Sequence, residues 1–294
     1  MEYNNENRCI VLEHNGLKLQ ELTLRECQIA TLEVYKMFSE LCKKIGVKYS
    51  IAFGTLIGAV RHKGYVPWDD DFDIVMPRAD YDKFLKYCSE HKGGFSPKYE
   101  IHNKYTIENC RYNITRFCCN DYKLLFYIWP GYESGLFIDI YPLDGLGKSN
   151  DYKYWQKNSR KMLGLQKMVS LTFKPFYPKN YPLWKKVRNK IFKFFFVHKS
   201  ANYYLSKLDK IGQKFSWDES DYVYCTVWTQ LKRIPQIRKE IFEDLVEFDF
   251  EGVKVPGPKD YDEFLRPIYE DYMKLPPLEL QQPHHGYKVY KIIK

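Results

Sequence analysis

Several features that define other protein classes are missing from this chain. No stretch approaches the roughly 20 consecutive apolar residues that a membrane-spanning helix needs. The N-terminal segment, MEYNNENRCIVLEHNG, has neither the basic start nor the apolar core of a secretory signal, so we expect a cytoplasmic protein. No internal repeat or low-complexity linker is present. With 45% hydrophobic and 28% charged residues, the composition is typical of an ordinary globular protein.

The eight cysteines include no Cys-x-x-Cys pair, which argues against a structural zinc site and against a disulfide framework. Reduced thiols are the simplest interpretation in a chain without a secretory signal. Cys110, Cys118 and Cys119 are the residues from which a zinc site would have to be built, but their spacing lacks the usual paired pattern.

One long segment lacks acidic residues altogether. Between Asp151 and Asp209 there is no Asp or Glu but there are 14 Lys and Arg, so this segment carries the whole basic excess of a chain with net charge +9. Within it, residues 183–197 (LWKKVRNKIFKFFFV) have a helix-compatible amphipathic pattern. Two interpretations stay open: a helix that packs on the core, or a surface on anionic lipid with Phe194–Phe196 inserted. No recognition motif for nucleic acid accompanies the charge, so no such partner is expected.

Hydrophobic periodicity predicts a mixed α/β arrangement in the first half. A helix is predicted from Leu24 to Ile45, because a capping box opens it at Thr23 and Glu26 and Gly46 follows its last apolar turn. Shorter helices are predicted at residues 56–62 and 80–91, and strands at 47–53, 72–76, 99–102, 113–119, 124–128 and 136–141.

The second half has a different pattern, in which helical periodicity dominates. We therefore predict an α/β (α+β) fold with a mixed-sheet core over residues 1–148. Residues 149–294 are predicted to form a mainly helical, basic and aromatic region that packs on this core and completes the functional site. One short hairpin is expected around Glu251-Gly252.

Carboxylates are concentrated in the run WDDDFD at residues 68–73. If this run leads into a strand, Asp69, Asp71 and Asp73 project to one side of it. Asp139 stands alone on another apolar strand. Clustered carboxylates repel one another, and a divalent cation removes that repulsion. Hard oxygen ligands suit Mg²⁺ or Mn²⁺ with phosphate oxygens, so a metal-dependent phosphoryl-transfer site is predicted, with a solvated acidic loop as the alternative.

Two further motifs precede the acidic run. A strand is predicted to end at Gly54-Thr55, where a small residue and a hydroxyl would let backbone N–H groups approach a phosphate. Arg61 and His62 follow, and a metal-bound pyrophosphate needs a cation on its other side. We therefore predict phosphate contacts for both residues. The alternative is an ordinary surface helix end, where cations are favoured by the helix dipole.

These motifs together resemble the signature of the LicD family. The similarity is carried by FGTLIGAVRHKG at residues 53–64 and PWDDDFDI at residues 67–74. It extends to MPRADY at 76–81, FIDIYPLDG at 137–145, VPGP at 255–258 and YMKLPP at 272–277. His284-His285 resembles the histidine pair that closes many members. The similarity spans about residues 25–285.

The resemblance implies a nucleotidyltransferase-like fold, related to that of the fukutin-related proteins. It also implies Mg²⁺-dependent transfer of a phospho-alcohol, typically phosphocholine from CDP-choline, to a sugar hydroxyl of a cell-surface glycan, such as lipopolysaccharide, capsule or a teichoic acid precursor, with release of CMP. The implied roles are metal ligands for Asp71, Asp73 and Asp139, phosphate contacts for Gly54, Thr55, Arg61 and His62, and outer-site positions for Asp69 and His285. Asp139 is also the expected acceptor of the hydroxyl proton.

Several alternatives remain within and beyond this family expectation. CDP-glycerol or CDP-ribitol are further candidate donors. A CTP-dependent nucleotidyltransferase and a non-catalytic, metal-dependent glycan- or lipid-binding module are the competing functions. A lipid-linked acceptor would suit an enzyme that works peripherally at the inner membrane face, which agrees with the second interpretation of residues 183–197.

Overall fold

The structure is a computed structural model that describes residues 11–91, 97–108, 110–127, 132–173, 177, 180–227, 234–283 and 285–293. Its helices are α1 Leu24–Ile45, α2 Phe53–His62, α3 Arg78–Glu90, α4 Tyr152–Thr172, α5 Leu183–Phe196, α6 Ala201–Gly212 and α7 Tyr261–Tyr269, with short 3-10 turns at Ser149–Asp151, Lys239–Phe242 and Leu278–Leu280. Its strands are β1 Val11–His14, β2 Leu17–Glu21, β3 Ser50–Ile51, β4 Asp73–Pro77, β5 Tyr99–His102, β6 Thr115–Phe126, β7 Glu133–Gly147, β8 Tyr222–Tyr224, β9 Ile237–Arg238, β10 Leu245–Phe250, β11 Val253–Pro258 and β12 Tyr287–Ile293. Cys9, residue 128 of a predicted strand and His284 lie outside the described residues.

A ten-stranded mixed sheet organises the chain, with the strand order β1-β2-β12-β6-β7-β4-β3. Strand β5 pairs with β6, and β8 connects β7 to β9. Among the described strands, β4 and β7 are the parallel pair, and their register places Asp73 beside Asp139. The mixed α/β class predicted from the sequence is confirmed. None of the described helices is long and apolar enough to cross a membrane.

Helix α1 forms as its sequence predicts. The Thr23 hydroxyl accepts from the Glu26 N–H at 3.3 Å, and the Glu26 carboxylate accepts from the Thr23 N–H at 2.7 Å, so the capping box closes both ways. Gly46 ends the helix in the left-handed conformation at φ 70°. The apolar face packs on the sheet and on α3, where the Phe38 ring meets that of Phe117 on β6 at 5.8 Å and that of Phe84 on α3 at 5.6 Å.

The prediction of a strand ending at Gly54-Thr55 is wrong. The strand is limited to Ser50–Ile51, and α2 begins at Phe53, so both residues lie in the first helical turn. Phe53 has φ 48°, a left-handed conformation uncommon outside glycine. Its ring packs against Tyr141 at 5.2 Å, so tertiary contacts stabilise a backbone conformation that strand periodicity cannot reveal.

Two other strands also differ from the prediction. The segments predicted at 113–119 and 124–128 form one irregular strand, β6, whose register shifts between Cys119 and Leu124. Strand β7 continues past residue 141, where the predicted strand ends, because its second half pairs with β8, which follows much later in the chain. Pairing with a distant segment leaves no local sequence signal.

The C-terminal half contributes strands as well as helices. The hairpin expected at Glu251-Gly252 is confirmed as β10 and β11. Strand β12, at the end of the chain, inserts antiparallel between β2 and β6. The organisation into segments 1–148 and 149–294 stays a prediction, but the sheet includes strands from both.

A buried ion-pair network joins elements from both halves. Arg78, at the start of α3, donates to both carboxylate oxygens of Asp144 on β7, at 2.7 and 3.0 Å. It also donates to Asp209 on α6 at 3.2 Å, and Lys104 binds the other oxygen of Asp209 at 2.6 Å. Asp144 is almost fully buried, so the network holds α3, β7 and α6 together without an uncompensated charge.

We expect Arg78→Ala to lower the free energy of unfolding by about 3–5 kcal/mol, because the buried Asp144 carboxylate loses its partner. Arg266 provides the control, since its bidentate pair with Asp262 is exposed and Arg266→Ala should cost under about 1 kcal/mol. Urea denaturation of both variants measures the difference. Equal losses in the two variants would contradict a structural role for this network.

Candidate active site

The parallel pairing of β4 with β7 assembles a cluster of carboxylates. Asp73 begins β4, Asp139 lies beside it on β7, and Asp71 precedes β4 by two residues. One carboxylate oxygen from each lies within 4.8 Å of the others. Among the described residues this is the group of three or more potential ligands close enough to hold one metal ion. The three ligands predicted from the sequence therefore do come together.

Asp139 is held by a buried arginine on the neighbouring strand. Arg116 is its cross-strand partner on β6, and Arg116 Nε donates to Asp139 Oδ1 at 2.8 Å. The guanidinium lies over the ring of Phe137 at 3.7 Å and over that of Tyr112 at 4.3 Å. One oxygen of Asp139 is thus engaged by a fixed positive charge, whereas no described cation forms an ion pair with Asp73.

Asp73 is the most constrained member of the cluster. Its backbone N–H donates to Thr55 Oγ1 at 2.8 Å, which fixes the start of β4 against the first turn of α2. Burial, followed by the charges of Asp71 and Asp139, raises the pKa of Asp73 well above its usual range. Its buried Oδ1 atom has no hydrogen-bond partner among the described residues. A buried carboxylate oxygen without a donor fits a divalent cation, and the all-oxygen donor set suits Mg²⁺ or Mn²⁺.

Asp69 approaches the same site from the loop before β4. Gln28 on α1 donates to its carbonyl oxygen at 2.9 Å and so fixes the loop. A side chain at Gly54 would collide with Asp69 Oδ2, so glycine is required where the carboxylate meets the first turn of α2. Burial, together with the charge of Asp71, raises the pKa of Asp69 well above its usual range.

The last strand brings a histidine to the acidic loop. His285 Nδ1 lies 2.6 Å from Asp70 Oδ1, and its Nε2 lies 3.4 Å from Asp71 Oδ2. The Tyr287 hydroxyl donates to the Asp70 carbonyl at 3.1 Å, and its ring stacks on the imidazole. Although burial alone would lower it, the bond to Asp70 and the charge of Asp71 raise the pKa of His285 to about 9. The imidazolium therefore balances part of the negative charge.

A cavity of about 350 Å³ opens beside the cluster. Asp69, Asp71 and Asp73 line one part of it, and two cations, Arg61 and Lys274, line another. Carboxylates for a metal and cations for an anionic ligand therefore share one cavity. A larger cavity of about 900 Å³, between α3 and β5, contains none of the clustered carboxylates.

Arg61 and His62 differ in their position. Arg61 lines the cavity, and it donates from Nη1 to the Tyr272 carbonyl and from Nε to His62 Nε2, the latter at 2.9 Å. His62 is not among the lining residues. Burial and the adjacent Arg61 lower the pKa of His62, so it favours the neutral acceptor form. His62 positions the guanidinium and does not itself reach the cavity.

Thr55 is predicted to contact phosphate at the end of a strand, but it lies in the first turn of α2. It is buried, and its hydroxyl accepts the Asp73 N–H, so it positions a carboxylate. Sequence reasoning missed Arg116, Asp70 and Tyr287. A charged residue alternating with apolar ones on β6 was the available signal for Arg116, since an isolated cation on a buried strand requires a partner. Nothing local predicted that Asp70 meets His285.

The described cysteines do not form a metal site. All seven are buried and free, and only the aspartates form a cluster close enough to bind one metal ion in the described part of the chain. Burial raises the pKa of Cys118 to about 12, so its thiol stays protonated.

We expect His285→Gln to remove a pH-dependent part of the stability of the metal-free protein. The folded state raises the pKa of His285 from about 6.5 to about 9, so the stabilisation is complete below pH 6.5 and is lost as pH rises through 9. After allowing for screening at a ring that is 34% exposed, about 1–2 kcal/mol should disappear over this range. Tyr287→Phe keeps the imidazole and should keep the pH dependence. Urea denaturation with a chelator tests this, and parallel profiles for His285→Gln and wild type would contradict it.

Comparison with known proteins agrees with the motifs and the site. Residues 46–162 match the LicD/FKTN/FKRP nucleotidyltransferase domain. The chain is 31% identical over 279 residues to the lipopolysaccharide cholinephosphotransferase LicD of Haemophilus influenzae, an alignment that covers 92% of this chain and 99% of that protein. It is also 32% identical over 150 residues to an uncharacterized protein of Rickettsia typhi, covering 44% of this chain and 47% of the relative. Because the similarity to the Haemophilus protein runs along nearly the whole of both chains and the family domain contains the carboxylate cluster, this chain belongs to the LicD family of phosphotransferases.

Proposed function

We propose that this protein transfers phosphocholine from CDP-choline to a hydroxyl group of a cell-surface glycan precursor, of the lipopolysaccharide or teichoic acid kind, and releases CMP. The observation that carries the proposal is the buried cluster of Asp71, Asp73 and Asp139 beside a cavity that also contains cations. The name of the Haemophilus relative, a lipopolysaccharide cholinephosphotransferase, supports phosphocholine as the transferred group.

Asp71, Asp73 and Asp139 would hold Mg²⁺ or Mn²⁺. When bound, the ion supplies positive charge for the phosphate oxygens in the transition state and helps to orient the reacting groups. The Oδ1 atom of Asp73, which has no hydrogen-bond partner in the described part of the chain, is the feature of these ligands that most supports a metal.

The chain's own cations would act on the donor pyrophosphate. Arg61 lines the cavity with its pKa lowered by burial, and no carboxylate is paired with it among the described residues. A half-buried guanidinium without a carboxylate partner is well suited to a phosphate group, and Lys274 adds a second positive charge. We assign to Arg61 the bridging region of the pyrophosphate, where negative charge accumulates as CMP leaves.

The reaction is an in-line displacement at the phosphorus atom that bears choline. A bond forms between the acceptor hydroxyl oxygen and this phosphorus, and the bond from phosphorus to the bridging oxygen breaks, so that CMP departs with the bonding electrons. Asp139 was expected to accept the hydroxyl proton. Because Arg116 engages one oxygen of Asp139 and Asp69 lines the cavity, we now assign the proton acceptor to Asp69.

The aromatic lining of the cavity supports choline over an uncharged polyol. Trp68, Tyr269 and Tyr272 line it together with the carboxylates. A quaternary ammonium is attracted to ring faces by about 0.5–2 kcal/mol per contact, whereas glycerol or ribitol gains no such attraction. Three rings and nearby negative charge provide a suitable environment for a trimethylammonium group.

The acceptor and the cellular location complete the proposal. A glycan hydroxyl presented on a lipid carrier at the inner membrane face would place the substrate at a bilayer surface. The enzyme would then work in the cytoplasm, peripherally attached to that membrane. The basic, aromatic segment at residues 183–197 is the part of the chain whose composition supports this location.

We expect Asp71→Asn and Asp73→Asn to abolish CMP release from CDP-choline, with losses of at least about 10³-fold, because each removes a charged ligand from the cluster. In chelator, Asp73→Asn should also be more stable than wild type near neutral pH. The folded state raises the pKa of Asp73, so its ionised form is costly there. Asp244→Asn, at an exposed position, is the control and should keep activity. CMP release with and without Mg²⁺, and thermal unfolding, are the measurements.

The outcomes of that assay separate the competing functions. Substantial CMP release by both cluster variants would refute the assignment of the active site. Pyrophosphate released from CTP would favour a nucleotidyltransferase. Binding of a CDP-alcohol without turnover under any condition would favour a non-catalytic module.

We expect Trp68→Ala to raise the KM for CDP-choline by about 5- to 30-fold, in line with the loss of one cation–π contact. Trp68→Phe keeps a ring and should show a much smaller change. If CDP-glycerol or CDP-ribitol is turned over, Trp68→Ala and Trp68→Phe should change the KM for that donor by the same factor. Faster wild-type turnover of CDP-glycerol or CDP-ribitol than of CDP-choline would instead identify a polyol-phosphate transferase and leave the catalytic cluster assignment intact.

A further inference from the structure

Helix α5 is unusual because none of its side chains is buried. It contacts α4, where Lys167 Nζ lies 4.1 Å from the centre of the Phe192 ring. Seven of its apolar residues are exposed: six are Leu183 (74%), Trp184 (61%), Val187 (48%), Ile191 (53%), Phe194 (74%) and Phe195 (62%), and the seventh is Phe196 (54%). Isolated exposed apolar residues are normal, but six on one short helix form a patch that calls for a partner.

These six residues share one face of the helix. At about 100° per residue they fall within an arc of about 120° from Leu183 to Phe195. Phe192 lies outside the arc, on the side that packs on α4. Phe196 is expected to insert into lipid together with Phe194, but it lies outside the arc, on the side of Phe192, and its half-exposed ring packs against that of Phe192 at 4.8 Å.

The charges of α5 are arranged around this apolar arc. The helix contains five cations and no acidic residue: Lys185, Lys186, Arg188, Lys190 and Lys193. None of them forms an ion pair with a carboxylate among the described residues. At helical spacing, Arg188 and Lys190 fall on the two edges of the arc. An apolar stripe with basic edges is the pattern of a helix that lies in a membrane interface.

We propose that α5 is a docking surface for an anionic phospholipid bilayer, with the helix lying along the surface and Trp184, Ile191, Phe194 and Phe195 inserted among the lipids. This rests on the peripheral location proposed above and deepens it by naming the inserted side chains and the charge of the lipid, and it does not depend on the transferred group. Charge favours this occupant over a second copy of the chain. A symmetric dimer through α5 would bring two helices of five cations together, whereas anionic headgroups neutralise them.

Vesicle sedimentation of the full chain tests this surface. Wild-type protein should bind vesicles of phosphatidylcholine with phosphatidylglycerol at least about tenfold more tightly than vesicles of phosphatidylcholine alone. Raising the salt from about 0.1 M to about 1 M should weaken binding, since the screening length falls from about 10 Å to about 3 Å.

Two double variants separate apolar insertion from charge. Phe194→Ser with Phe195→Ser should reduce binding at least about tenfold without changing the net charge. Arg188→Glu with Lys190→Glu should abolish the preference for anionic vesicles. The matched control is Val11→Ser with Ile29→Ser, which removes two exposed apolar residues elsewhere and should leave vesicle binding unchanged.

Three results would overturn the proposal. Wild-type protein that does not sediment with anionic vesicles at low salt would remove it. Equal binding of the α5 variants and the control variant to anionic vesicles would also remove it. A wild-type dimer that the phenylalanine variant converts to a monomer, with unchanged vesicle binding, would assign the patch to self-association. These readouts are independent of CMP release, so failure of the proposed reaction would leave them unaffected.

Discussion

The arrangement of this molecule depends on one electrostatic constraint, the burial of several carboxylates within a few ångströms of one another. The parallel register of β4 and β7 sets Asp73 beside Asp139, and the loop before β4 adds Asp71. Ionised carboxylates at such distances repel each other strongly where water is excluded. These carboxylates can all be ionised only if positive charge lies close to them. Cationic side chains at fixed positions in the surrounding structure supply part of that positive charge.

The fixed part comes from two neighbouring strands. Arg116 approaches from β6 and neutralises Asp139, while His285, at the base of β12, balances part of the charge of Asp70 and Asp71. Asp73 is left between them with a buried oxygen that no described residue satisfies. Protein cations therefore compensate the edges of the cluster and leave its centre uncompensated. The uncompensated negative charge at this centre lowers the stability of the metal-free protein. Active sites that are preorganised for a ligand commonly reduce the stability of the fold in this way.

The sequence predicted this centre better than its surroundings. Asp71, Asp73 and Asp139 could be found because alternation along a strand is a local pattern, and the acidic run is unusual in itself. Arg116 and His285 each had a signal in the sequence, an isolated cation on an apolar strand and a family resemblance, but their partners Asp139 and Asp70 are set by cross-strand and end-of-chain contacts that have no local pattern. Gly54 is predicted to let a phosphate approach; it lines the cavity, and the structure adds another reason for glycine, because a Cβ there would collide with Asp69. Thr55 was predicted to meet phosphate, yet its hydroxyl is used to fix the backbone of Asp73.

The acidic and basic residues of the chain are separated in the structure as they are in the sequence. The carboxylates lie inside the sheet, where fixed cations surround them, whereas the cations of α5 lie outside, without acidic partners among the described residues. Cations without ion pairs cost little in water, so they need no internal compensation and remain available to an external anionic surface. In the proposed function, the buried carboxylates would attract a metal ion, Arg61 and Lys274 would attract the anionic donor, and the exposed cations of α5 would attract anionic lipid. The two regions can therefore bind their partners without neutralising each other, which suits an enzyme whose donor is dissolved in water and whose acceptor is presented at a membrane.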